Sequence, residues 1–129
     1  MSNYLDPEGH AVLLGDTAAL SLVIPAERSV FLNASFEGGW EQAAVIYLNE
    51  DRYAYQLGSF VLRSTTLEIP PQPTEYKLTI IGWHKRSAAN PDLPWVASRG
   101  RRQGPVVFAW DDSAEDEDYR DLRIKLLTS

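Results

Sequence analysis

Apolar and polar residues alternate along this chain in short blocks with a period of two. "ALSLVIP" (19–25), "SVFLNASF" (29–36), "AAVIYLN" (43–49), "YAYQLGSFVL" (53–62), "TTLEI" (65–69), "YKLTIIGW" (76–83), "PVVFAWD" (105–111) and "DLRIKLL" (121–127) are rich in Val, Ile, Leu, Phe, Tyr and Thr. Such residues suit a pleated surface that is buried on at least one side. "FEGGWE", "NED", "IPPQPTE", "AANPDLP" and "SRGRRQG" supply the Gly, Pro, Asn and Asp that turns need between the blocks. No stretch carries apolar residues at helical spacing between caps. The pattern predicts an all-β fold: an antiparallel β-sandwich with Greek-key-like connections, in one domain over residues 1–129. The segment 84–104, "HKRSAANPDLPWVASRGRRQG", breaks the alternation with two prolines and two glycines, and it reads as a long loop excursion between strands.

Composition narrows the class. A hydrophobic content of 44% is enough for a packed core and too high for a disordered chain. The absence of cysteine removes disulfides and thiolate metal sites. The opening "MSNYLDPEGHAVLLGD" lacks a basic stretch followed by a long apolar one. No signal peptide is read there, and the cytoplasm or export by a non-classical route both stay open. No apolar run is long enough to span a bilayer.

Charge changes the picture more than composition does. Residues 111–121 hold seven carboxylates against one base, Arg120, which equals the formal net charge of the whole chain, −6. The domain is otherwise balanced and carries one negative hot spot. Such a spot attracts cations locally and opposes nucleic acid, so no nucleic-acid partner is expected. Within it Asp112, Asp116, Asp118 and Asp121 follow the pattern D-x3-D-x-D-x2-D. Asp116 and Asp118 would share one side of an extended segment. Asp121 could return after a tight turn at Tyr119–Arg120, and Asp112 could approach from the preceding strand. Calcium takes roughly six to eight oxygen ligands, mostly carboxylates, carbonyls and water, so convergent short Asp side chains suit it. Magnesium keeps more water and usually takes only one or two carboxylates. The frame is not an EF-hand, because the central Gly and the closing Glu are absent. The competing reading is a solvated acidic loop that keeps the protein soluble.

"DDSAEDEDYRDLRIKL" resembles the calcium loop of the small bacterial calcium-mediated fucose/mannose-binding lectins, with Asp112, Asp116, Asp118, Tyr119 and Asp121 at matching positions. The resemblance implies a cysteine-free β-sandwich that coordinates Ca2+ through this loop and binds carbohydrate through the metal. It implies a further calcium ligand from an Asn at an early strand–loop junction, for which Asn33 in "VFLNASFEGGW" is the counterpart. "VIYLNE" (45–50) is similar to the strand that follows. Arg120 departs from the family, which keeps a coordinating Asn there. A guanidinium has only donors and cannot ligate a cation. The match therefore supports one calcium ion better than two, with Arg120 standing as a fixed positive charge.

Trp83, His84, Trp95 and Arg99 fall in an aromatic and basic stretch that also includes Arg101 and Arg102. Together with Arg120 they are candidate ligand-binding residues, since indoles pack on sugar faces and arginines fork onto anions. The same arginines could instead pair with the acidic loop without any metal. An enzyme is not expected: His10 and His84 have no metal-ligand spacing, and neither a G-x-S-x-G elbow nor a phosphate-cradling loop occurs. The expected function is calcium-dependent, lectin-like carbohydrate recognition. The alternative is a calcium-stabilised structural or protein–protein interaction domain without sugar binding. Strand edges and exposed tryptophans permit a homo-oligomer without specifying one.

Overall fold

The structure, a computed structural model, describes residues 19–36, 41–49, 51–58, 64–85, 96–104, 107–111 and 122–128. These form ten strands: β1 (Ala19–Ile24), β2 (Val30–Phe36), β3 (Glu41–Leu48), β4 (Asp51–Gly58), β5 (Ser64–Ile69), β6 (Tyr76–Lys85), β7 (Val96–Ala97), β8 (Arg99–Gly104), β9 (Val107–Asp111) and β10 (Leu122–Thr128). All eight strands expected from the alternation are present. Among the described residues no helix is long and apolar enough to cross a membrane.

The strands make two antiparallel sheets. The first has the order β1-β6-β3-β4, with β7 also paired to β6. The second has the order β5-β2-β10-β9-β8. Their inner faces meet in one core: Ile24, Ala44, Ile46, Leu78 and Ile80 from the first sheet, and Leu32, Phe36, Phe108, Trp110, Leu122, Ile124 and Leu126 from the second. In β10 the burial alternates, with Leu122, Ile124 and Leu126 buried and Arg123, Lys125 and Leu127 exposed. This is the period of two expected of a sheet with one wet face.

The first sheet behaves differently. Its outward residues Ala43, Val45, Ile81 and Trp83 are 0% exposed and form a second cluster with Tyr47. β3 and β6 are therefore buried on both faces, and their sequences "AAVIYL" and "LTIIGW" are correspondingly near-continuous apolar runs.

Residues 84–104 depart from the expected loop. Where described, they contain β7 and β8, joined at Ser98, whose N–H donates to the Gly82 carbonyl at 2.8 Å. β7 extends the first sheet and β8 is an edge of the second, so Ser98 is the corner at which the chain changes sheets. Edge strands tolerate charge and glycine, which protect an open edge, so "RGRRQG" carries none of the usual strand signal. Arg102 closes this side of the sandwich. Its guanidinium donates to the Ser21 carbonyl of β1 and lies 5.2 Å from the Phe108 ring centre.

At the far end Asn49 turns β3 into β4 with a φ of 58°. Asn reaches this left-handed region more readily than most residues. Its N–H donates to the Lys77 carbonyl at 2.7 Å, and its side-chain oxygen accepts from the Lys77 N–H at 3.1 Å.

Candidate functional site

Strand register fixes where the acidic loop leaves and rejoins the fold. Leu122 of β10 lies opposite Trp110 of β9 on one side and Phe36 of β2 on the other. Both hydrophobic anchors, Trp110 and Leu122, are 0% exposed. β9 and β10 are interior strands of their sheet, so Trp110 and Leu122, which bracket the acidic segment, are held one strand spacing apart, about 4.8 Å. A ten-residue segment could otherwise reach about 33 Å. Asp112, Asp116, Asp118, Asp121 and Arg120 themselves lie outside the described residues, as does Trp95. The donor set the segment offers is oxygen only, which fits a hard cation. Among the described residues no group of three His, Asp or Glu is placed to hold a metal.

This end of the sandwich gathers other connections. Phe36 ends β2 and only four residues separate it from Glu41, so the start of β3 is at the same end. Lys85 and Gly58 are brought there by register with Glu41 and Gln42. Arg99 starts β8 directly opposite Asp111, the last residue before the acidic loop. The sheets are drawn together here at Gly82. A Cβ on Gly82 would meet the Trp110 indole at 2.5 Å, so only glycine lets β6 approach β9 so closely.

The remaining expected residues take other places. Asn33 is not at a strand–loop junction. It lies mid-strand in β2, three positions before Phe36, opposite Lys125 and Thr66. Its side-chain oxygen accepts from the Thr66 hydroxyl at 2.9 Å. At the strand rise this puts it about 10 Å along β2 from Phe36, which faces Leu122. Trp83 offers no exposed ring for sugar stacking. It is 0% exposed in the second cluster, with its indole N–H buried and without an acceptor among the described residues. His84 is 9% exposed and shares a 2.8 Å hydrogen bond between Nδ1 and the Ser98 hydroxyl. With Ser98 only 2% exposed, this pair braces the corner between β7 and β8 rather than facing a ligand. Arg99, expected among the ligand-binding residues, begins β8 opposite Asp111.

Two features were not foreseen from the sequence. Ser98 carries no motif, and its pairing with His84 depends on the sheet change. The outward-facing group of Arg101, Arg123 and Lys125 was partly visible, because "LRIKLL" places Arg123 and Lys125 on the side opposite three buried apolar residues. No protein-family model, curated protein or solved structure matches the chain.

Proposed function

We propose that this protein is a non-enzymatic recognition domain in which the 112–121 loop binds one calcium ion through Asp112, Asp116, Asp118 and Asp121, and in which the ion presents an open coordination position to carbohydrate hydroxyls. The observation that carries the reading is the closure of this loop by two neighbouring interior strands with buried anchors. Six of the chain's acids lie in a segment bracketed by Trp110 and Leu122, which stand about one strand spacing apart. Such crowding penalises the ionised loop, and a divalent cation relieves it. Arg99 pairs in register with Asp111, where the segment leaves β9.

The buried positions of Trp83 and His84 favour a second reading, because they withdraw two of the residues expected to touch a sugar. In it, calcium only rigidifies the loop end, and that end associates with another protein.

Thermal unfolding after chelation, with and without added calcium, tests the metal. Saturation at a hundred times Kd stabilises by about 2.7 kcal/mol, a rise of several degrees. Asp118→Ala should remove most of the rise, and magnesium should give less. An unchanged melting temperature and no calorimetric heat would end both calcium readings. A glycan array with and without chelator then separates them: chelator-sensitive binding supports the lectin-like reading, and no binding beside a clear calcium response supports the structural one.

A further inference from the structure

The sandwich has two outer faces, and the described residues show them to be unlike. That of the first sheet carries the buried apolar cluster of Ala43, Val45, Tyr47, Ile81 and Trp83, whereas that of the second exposes mainly polar side chains around the buried Ala109. Across this open face two rows of side chains run perpendicular to the strands. One row aligns Arg101, Ala109, Arg123, Ser35 and Ser64 across all five strands. The next aligns Val107, Lys125, Asn33 and Thr66. Arg101, Arg123 and Lys125 are exposed, as are Asn33, Ser35 and Thr66. Arg123 and Lys125 are two positions apart on one strand, about 7 Å, and Arg101 lies two strands from Arg123, about 10 Å. In a chain of net charge −6 this is a local reversal of sign. On the described part of the face the acids are Glu68, beyond Thr66 and opposite Phe31, and Asp111, two positions from Ala109 on β9 and opposite Arg99.

We propose that this face is a binding surface for a linear acidic glycan, with carboxylate or sulfate groups on Arg123 and Lys125 and sugar hydroxyls on Asn33, Ser35 and Thr66. Guanidinium and ammonium groups are donors only and are matched by anionic oxygens. The Asn33 oxygen is engaged by Thr66, so its amide nitrogen, also a donor, is the atom offered beside Lys125. The first row spans four strand spacings, about 19 Å, and the second three, which suits an extended chain rather than a single ion. Nucleic acid fits less well. Single strands are held by aromatic stacking platforms, and the only described aromatic side chain on this face is the half-buried Phe31. Binding at this face needs no calcium and is independent of the reading proposed for the acidic segment.

The test measures binding of fluorescent heparin-derived and oligogalacturonate oligosaccharides by anisotropy, at low salt and with chelator present. Both should bind, and dextran of equal length should not. The Arg123→Gln/Lys125→Gln variant should lose about tenfold or more, because a lost charge-assisted hydrogen bond accounts for at least that factor. Asn33→Ala, which changes no charge, should weaken binding a few-fold. Lys77→Gln, exposed on the first sheet, should bind normally. Because both Arg123 and Lys125 point outward, their replacements should melt as the parent does. If the double variant is nevertheless unstable, Lys125→Glu alone should show the loss. Equal binding by the charge variants would overturn the proposal. So would equal binding of dextran, polyglutamate or single-stranded DNA, or no binding to either acidic glycan.

Discussion

Replacing Gly82 by Ala probes how tightly the two sheets are held at the loop end. The added Cβ would stand 2.5, 2.6 and 2.8 Å from Cγ, Cδ1 and Cδ2 of Trp110. Carbon atoms pack at about 3.5–4.0 Å, so roughly 1 Å of separation must be found. The indole has little room to supply it. Trp110 is 0% exposed, β9 is hydrogen-bonded to β8 and β10 on its two sides, and its ring stands edge-on to Phe108 at 6.3 Å and 85°. Overpacking of this kind costs about 1–3 kcal/mol. The loss of chain freedom in the unfolded state returns about 0.4–1 kcal/mol. A net destabilisation of about 1–2 kcal/mol corresponds to a melting temperature lower by about 4–8 °C for a domain of this size. Circular dichroism against temperature and urea would measure it. Trp110→Phe makes space at the same point, so Gly82→Ala should cost about 1 kcal/mol less in that background. A melting temperature unchanged within about 1 °C, or strict additivity of the two substitutions, would refute the close approach.

Three further outcomes follow from described contacts. Arg102→Gln should lower urea stability by about 0.5–1.5 kcal/mol, since it removes the bond to the Ser21 carbonyl and the contact with Phe108; an unaltered midpoint would show that β8 and β1 hold together without it. Ser98→Ala removes the 2.8 Å hydrogen bond to His84 inside a corner that excludes water, and should cost about 1–2 kcal/mol in the same assay. No change would mean that His84 readily finds another partner. Asn33→Ala should leave calcium affinity within a factor of about two, because Asn33 lies mid-strand in β2 with its side-chain oxygen engaged by the Thr66 hydroxyl. A tenfold loss by calorimetry would return Asn33 to the metal.

The sandwich was legible because its strands follow simple rules. β2 and β10 alternate, and Leu122, Ile124 and Leu126 could be assigned to the core without coordinates. The pairing could not be read. Sequence spacing says nothing of β2 inserting between β5 and β10, and that insertion is what puts Asn33 mid-strand beside Lys125. Trp83 was misplaced for a related reason. An indole next to His and Lys looks like a surface feature, but its position in β6 turns it toward the apolar outer cluster of Ala43, Val45 and Ile81. β8 was hidden because a charged edge strand has the composition of a loop. The acidic segment was the clearest chemical signal in the chain, and the strands on either side of it, β9 and β10, lie where the alternation put them.

The double burial of β6 also sets an order of events in time. β6 is hydrogen-bonded to β3 on one side and to β1 and β7 on the other, and both faces of Leu78–Trp83 are closed to water. No local opening exposes such amides, so their protons exchange with solvent only when the whole domain unfolds. β5 is the contrary case, an edge strand with exposed alternate residues and one paired neighbour, where exchange proceeds through small fluctuations. Amide exchange would therefore report two clocks in one sandwich: global stability at β6 and local breathing at β5.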